Sequence, residues 1–427
     1  MLTSARMSKE PKPILRRYLV LSGANLAAAG LGFAGVLVVA RWFGAAGLGD
    51  VSLALSISTY ALLVAACGTD VYAVKELAAR RGPVGGLAVS VVAIRAVSGV
   101  LTYGTILALV LTVPRLQQIG PLLALYGLSV FATALNMVWV AQARHETDLV
   151  AVAGLAGQAL SLVLMVGLLL AGSGLWGVAV AKVLADLFVT LLSVGWARKH
   201  HGPLRPPTAG AQVLDLARAG APIAGTQLLR GLTRTSDIVI LGFMVSRVQL
   251  GYYSAAARIF LLMLSLAGSY FVILLPRMAE RAADPAGAMR RELRASLRRS
   301  LPIALLGCVL VALFAQPLLA SAFDSEFAAA APALQLLTLA LIANFIGRHH
   351  RQVLIARGRQ GLDLRMTGIG AATHVAAKLA LIPPLGITGA ALGTLAGELT
   401  IAVLLGWVAW SDTRTPSAWL DRREEER

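Results

Sequence analysis

The sequence predicts an all-α, polytopic membrane protein, with about twelve transmembrane helices in two six-helix lobes related by a parallel repeat. Three observations predict it. Of the 427 residues 57% are hydrophobic and only 14% charged, with a mean hydropathy of +0.75, whereas soluble proteins carry about 25% charged residues. The apolar residues fall in blocks long enough to cross a hydrocarbon core of about 30 Å at about 1.5 Å per residue. The basic residues collect in alternate loops. Every span is helical, because an open strand edge cannot satisfy its backbone in lipid.

The spans follow in order. The first, about 18–40, holds no charge and follows Lys9, Lys12, Arg16 and Arg17. It is longer than a signal h-region and more spans follow, so it reads as a retained start-transfer helix. Gly23, Gly30, Gly32 and Gly35 allow it to approach its neighbours closely. The second covers about 51–69 and holds Cys67, the third about 90–113 with Arg95, and the fourth about 119–141 with Asn136. The fifth, about 148–171, carries Gly154, Gly157 and Gln158; the sixth, about 174–196, carries Lys182 and Asp186. The polar, Pro-containing stretch 197–217 (ARKHHGPLRPPTAGAQVLDLA) divides an N-terminal lobe, 1–196, from a C-terminal lobe, 218–427, that ends in a short tail. The seventh span, about 219–244, holds Arg230, Arg234 and Asp237, and the eighth, about 251–275, holds Arg258. An Arg-rich stretch, 277–300, reads either as an amphipathic helix on the membrane surface or as a solvated loop. The last four spans, about 301–322, 329–347, 366–385 and 388–410, hold Cys308, Asn344, Lys378 and Glu398 in turn.

With the N-terminus in the cytoplasm, the inner loops and tail take almost all the loop arginines and lysines, from Lys75, Arg80 and Arg81 through Arg277–Arg299 and Arg348–Arg365 to Arg427. The outer loops keep only Arg41, Arg115 and Arg247. A missed or extra span would invert the later loops and destroy this asymmetry. The expected location is a bacterial cytoplasmic (inner) membrane, multi-pass, with both termini cytoplasmic. The net charge of +17 then reports topology and attraction to membrane lipids, not nucleic-acid binding.

The halves repeat faintly. Gly23-Ala-Asn25-Leu26 aligns with Gly225-Thr-Gln227-Leu228, and Leu48-Gly49-x-x-Ser52-x-Ala54 with Leu250-Gly251-x-x-Ser254-x-Ala256. Gly174-x-x-Gly177-x-Ala179 aligns with Gly386-x-x-Gly389-x-Ala391, which places Asp186 opposite Glu398. Six spans per half make the repeat parallel, and such folds bind substrate between the lobes.

Charges inside spans are costly and are functional candidates. Lys182 and Asp186 are four apart and can pair, as can Arg234 and Asp237, three apart. Arg95, Arg230, Arg258 and Lys378 then lack an obvious local partner, although Glu398 can serve one of them. This cationic surplus suits an anion, and phosphate fits the guanidinium fork. Snorkelling offers another account of Arg95, from the inner end of its span, and of Arg258, from the outer end. Asp186, Asp237 and Glu398 have two open roles, coupling to H+ or Na+ and orienting the basic residues. No spacing suits a metal, no phosphate-binding loop for ATP is present, and the loops are too short for a catalytic domain. The expectation is a non-enzyme without a bound cofactor. Cys67 and Cys308 read as buried, inert thiols.

Several stretches resemble a known family: 40–49 (ARWFGAAGLG), 68–80 (GTDVYAVKELAAR), 235–242 (TSDIVILG), 251–259 (GYYSAAARI), 275–278 (LPRM) and 384–391 (PLGITGAA). Together they resemble the O-antigen-type oligosaccharide flippases of the multidrug/oligosaccharidyl-lipid/polysaccharide exporter superfamily, over essentially the whole chain. The resemblance implies two lobes in a V around a basic cavity that receives a polyprenyl-pyrophosphate-linked oligosaccharide. Its pyrophosphate would meet Arg230, Arg234, Arg258 and Lys378, with Arg95 and Lys182 as further cavity cations. Other polysaccharide-assembly proteins are expected partners. Two rivals remain: a cation-coupled multidrug exporter of the same fold, and a non-transporting scaffold for polysaccharide enzymes. A membrane glycan ligase or polymerase would need an essential outer-loop residue, for which the chain offers no candidate.

Overall fold

A computed structural model describes residues 14–80, 84–202, 210–281 and 286–412, without the side chains of a few residues inside helices, Arg230 and Arg234 among them. Among the described residues there is no strand. The first half comprises α1 (Ile14–Ala66), α2 (Thr69–Arg80), α3 (Val84–Thr112), the short α4 (Pro114–Gln117), α5 (Gly120–Gly127), α6 (Ser129–Ala134) and α7 (Val138–Ala143), then α8 (Thr147–Leu170) and α9 (Leu175–His201). The second half comprises α10 (Gly210–Met244), α11 (Arg247–Glu280), α12 (Ala286–Leu313), α13 (Ala315–Ala322), a 3-10 turn at Ser325–Ala330, α14 (Ala331–Ala356) and α15 (Gln360–Asp412).

Eight of these helices are long and apolar enough to span a membrane. Two of the eight, α1 and α15, are hairpins of two spans. α1 breaks at Gly44 (φ 63°), and Leu31 and Val36 before the break line one cavity with Val51 and Leu55 after it. α15 breaks at Gly386 (φ 55°). A Cβ on Gly393 would lie 2.4 Å from Lys378 Cγ, and one on Gly397 would lie 2.7 Å from His374 Cβ, so the second arm runs back antiparallel along the first. With α10 and the interrupted span of α5–α7, these hairpins complete the twelve expected passes.

The fourth span is broken, not continuous. Asn136 accepts a hydrogen bond from the Val138 backbone N–H at 2.8 Å and restarts the chain as α7. Among its described residues, which exclude 282–285, the basic stretch 277–300 belongs to two spanning helices and not to a separate surface helix. α11 runs to Glu280, and α12 carries Arg290–Arg299 straight into the ninth span. Met289 and Leu293 on that segment are buried, and the Arg290 guanidinium lies 4.2 Å from the centre of the Trp410 ring. The tenth span runs to Ala356, not to 347, so Arg348 and Arg351 belong to a helix and not to a loop. Helices also shorten the expected 197–217 connection, since α9 continues to His201 and α10 begins at Gly210; residues 203–209 lie outside the described structure.

The repeat is visible in the backbone. Gly174 and Gly386, aligned in sequence, both adopt positive φ (61° and 55°) at the turn into the last span of each half. An L side chain is strained there, so glycine sits at both. Gly49 and Gly251, also aligned, meet at the junction of the halves. A Cβ on Gly49 would lie 2.2 Å from the Arg247 carbonyl oxygen, and one on Gly251 would lie 1.8 Å from that of Ala45. The α1 and α11 backbones therefore touch directly, the close approach that small residues permit inside a membrane.

Candidate functional site

The halves enclose a polar cavity of about 470 Å3 at their junction. Leu55, Ser56 and Thr59 of α1 form one wall. The other walls come from α10, α11, α14 and α15, and they bring three arginines (Arg258, Arg348, Arg351) together with Asp237, Asp363, Glu398, Asn344, Tyr253 and Thr394.

Asp237 is the hub of the C-terminal half. Its Oδ1 pairs with the Lys378 ammonium and lies 3.1 Å from His374 Nε2. Its Oδ2 accepts from the Tyr253 hydroxyl at 2.5 Å and from Thr394 at 3.1 Å. Lys378 also contacts His374, one turn before it on α15. Glycine at 393 and 397 on the returning arm makes room for both long side chains. This corrects two expectations. Lys378 is not a cation without a partner: it is fully buried against Asp237 and does not line the cavity. Asp237 has its countercharge on α15, not solely on its own helix.

Arg258 is the counter-example. It lies eleven residues into α11 from Arg247, about 16 Å along the axis, and so near the middle of a core about 30 Å thick. That is too deep for snorkelling. Among the described residues its side chain makes no hydrogen bond or ion pair, and its Nε is buried without a partner. Arg258 lines the central cavity and also a second one of about 170 Å3, within the first half, that includes Gln158, Tyr126 and Lys182. Its guanidinium thus stands in the wall between them.

The remaining expected residues fall as follows. Lys182 pairs with Asp186, as their spacing predicts. Arg95 is corrected: it is buried, pairs with Asp70 and donates to Thr69 at 2.8 Å, so it has a countercharge and lines neither cavity. Glu398 lines the central cavity and accepts from the Asn344 amide at 3.0 Å. The side chains of Arg230 and Arg234 lie outside the described structure; their backbones are on α10.

Several residues of the cavity and of the Asp237 hub escape the sequence reading. The sequence places Arg348 and Arg351 in a loop, because their run of polar residues resembles the other inner loops. Arg351 donates to Asp363 at 2.7 Å and to Thr367 at 3.1 Å, which holds its guanidinium at the cavity wall. His374 carries one usable signal, its four-residue spacing before Lys378. Tyr253 and Thr394 carry none.

Cross-half polar contacts latch the end that the charge asymmetry of the sequence assigns to the outside. Arg247 forms a two-pronged pair with Asp50. Arg41 donates to the Ala322 and Ser321 carbonyls at 3.0 and 2.9 Å. Arg115 donates to the Gly242 carbonyl at 2.8 Å, and Glu326 accepts from the Ala45 N–H at 2.8 Å. The three basic residues that the sequence leaves in outer loops are thus all cross-half contacts. At the opposite end Gly68 packs on Gly220, where a Cβ on Gly68 would lie 2.4 Å from the Gly220 carbonyl oxygen.

Residues 14–281 match the family described as "Polysaccharide biosynthesis protein". The chain belongs to this family. The fold agrees with solved membrane transporters. A lipid II flippase MurJ in an inward closed conformation superposes with a TM-score of 0.78 at 15% identity, covering 91% of this chain and 87% of that one. An inward-facing multidrug resistance MATE family transporter of the MOP superfamily gives 0.65 at 16% identity, covering 95% and 96%. A MOP superfamily transporter from Pyrococcus furiosus gives 0.61 at 16%, covering 93% and 96%; its description reports a binding pocket of reversed polarity. No curated protein matches the chain by sequence. The polysaccharide biosynthesis family member thus has the MOP exporter fold.

Proposed function

We propose that this protein flips a phosphate-bearing, lipid-linked oligosaccharide across the cytoplasmic membrane by alternating access, for cell-surface polysaccharide synthesis. One observation carries the reading: a half-buried arginine, Arg258, whose Nε is buried without a partner and which has no countercharge among the described residues, between two cavities at mid-membrane depth. An unpaired guanidinium in low dielectric is stable only when an anion joins it, and a phosphate group supplies a matching pair of acceptors. Arg348 and Arg351 on the facing helix extend the basic wall, and the hydroxyl and amide groups of Ser56, Thr59, Thr367 and Asn344 suit sugar hydroxyls. The family supports a polysaccharide substrate. The likeness to a lipid II flippase supports a lipid-linked one.

The cation-exporting alternative requires a cavity that attracts positive charge. Asp237 is committed to Lys378 and Asp363 to Arg351, which leaves Glu398 as the one other carboxylate of the described wall, beside Arg258 and Arg348, and opposes that.

The test is flipping of a fluorescent polyprenyl-pyrophosphate oligosaccharide by purified protein in liposomes. Arg258→Gln is expected to lower the rate by about tenfold or more, the loss of one charge-assisted contact, and Arg258→Lys to restore part of it. Equal rates for wild type and Arg258→Gln would remove Arg258 from the phosphate site. A folded wild type inactive on every phosphate-linked glycan but active on organic cations would overturn the proposal.

A further inference from the structure

Outside the substrate path, α11, α12 and α14 of the second half frame a groove of about 550 Å3 that opens sideways. Leu266 and Ile303 on its rims are 53% and 74% exposed, as side chains facing lipid are. From Arg277 to Met263 on α11 it is about 21 Å long at 1.5 Å per residue. That is the depth of one leaflet, half of a bilayer about 40–45 Å thick with its headgroups. Along most of its length the wall is apolar: Leu266, Ile303, Ala304, Gly307, Ile342 and Phe345.

The other end is charged. Arg277, Arg299 and Glu292 line it, and among the described residues none of the three side chains has a hydrogen bond or ion pair. Ser296 and Ser300 beside them are already used, by the Tyr270 hydroxyl at 2.6 Å and the Ser296 carbonyl at 2.9 Å. Arg299 lies deeper along α12 than Glu292. Helix side chains lean toward the N-terminus, here the charged end, so its guanidinium reaches back toward the headgroup layer. Positive-inside asymmetry assigns this end to the cytoplasm.

We propose that the groove holds one phospholipid of the cytoplasmic leaflet with a phosphoethanolamine headgroup. Arg277 and Arg299 take the phosphate, Glu292 takes the primary ammonium, and one acyl chain lies between α11 and α12. The argument is charge complementarity with length. Two free cations and one free anion match a headgroup carrying a phosphate diester and an amine. A purely anionic headgroup leaves Glu292 without a partner, facing a phosphate. A polyprenyl carrier is longer than a groove that ends at mid-membrane. The site is independent of which substrate the central cavity takes.

The test uses the full chain in nanodiscs made from equal parts of phosphatidylethanolamine, phosphatidylglycerol and phosphatidylcholine, with retained lipid identified by native mass spectrometry. Wild type is expected to retain one phosphatidylethanolamine, enriched about fivefold over the other two, the worth of a partly exposed ion pair. Glu292→Gln is expected to bring the ethanolamine-to-glycerol ratio to about one, and Arg277→Gln/Arg299→Gln to lower retention of all three lipids. Gly307, which has open space beside it, provides a variant that fills the groove without touching a charge. Gly307→Trp is expected to expel the lipid. Preference for phosphatidylglycerol in wild type, or an unchanged ratio in Glu292→Gln, overturns the headgroup assignment. Displacement of the lipid by an equal amount of polyprenyl phosphate overturns the choice of occupant.

Discussion

Asp237→Asn is expected to destabilise the second half more than any other single exchange at its polar hub. It leaves the Lys378 ammonium, which has no exposed surface, without its countercharge, and removing one partner of a buried ion pair costs about 3–5 kcal/mol. The converse change, Lys378→Met, is milder. The carboxylate keeps Tyr253 at 2.5 Å, Thr394 at 3.1 Å and His374 at 3.1 Å, and loses one charge-assisted hydrogen bond worth about 1.5–3 kcal/mol. Asp237→Asn/Lys378→Met removes both charges at nearly constant volume and is expected to fall far short of the sum. The resulting coupling is about 2–4 kcal/mol. Equilibrium unfolding in mixed micelles of mild and denaturing detergent, followed by circular dichroism, measures all four corners of the cycle. Single losses that simply add, with Asp237→Asn no worse than Lys378→Met, would refute the assignment of these groups to one ion pair.

Three further outcomes follow from the geometry. Asp50→Asn removes a two-pronged but partly exposed pair with Arg247 and is expected to weaken the outer latch by about 1 kcal/mol, a fivefold shift in population. Labelling of single cysteines placed in the cavity by an impermeant outer-side reagent should rise accordingly, and unchanged labelling would show that the pair does not hold the outer end shut. Gly393→Val places branched carbons where a Cβ alone would lie 2.4 Å from Lys378 Cγ and is expected to cost at least about 1–3 kcal/mol, read as a lower unfolding midpoint; tolerance of valine would contradict the packing of the α15 hairpin. Glu398→Gln retains an acceptor for the Asn344 amide and is expected to respond to H+ and Na+ gradients as wild type does. A response to either gradient that wild type shows and that variant lacks would assign Glu398 to coupling.

Topology was legible because lipid penalises unsatisfied backbone and charge so heavily that spans and loops are written in composition. The repeat was legible where glycine is structurally compelled, at Gly174 and Gly386 and at Gly49 and Gly251. The site was legible only as a list of intramembrane charges. Which of them are neutralised depends on partners distant in sequence: Lys378 finds Asp237 across 141 residues, and Arg95 finds Asp70 across 25. Local spacing reveals only pairs such as Lys182 with Asp186. Arg348 and Arg351 are illegible for a different reason. A helix that leaves the hydrocarbon while still lining a polar cavity looks, by composition, like a loop.

The meeting of Gly49 and Gly251 has a mechanical consequence. With no side chain between them, the two backbones can pivot at this point with little local repacking, which makes the junction a fulcrum close to the end where Asp50 and Arg247 pair. Gly68, nineteen residues further along the same half, sits at the end of a lever arm about 28 Å long. A tilt of about 10° at the fulcrum parts that far end by about 5 Å, enough to separate Gly68 from Gly220, while the near end hardly moves. The molecule is geared to open widely at the Gly68–Gly220 end for little disturbance at the other.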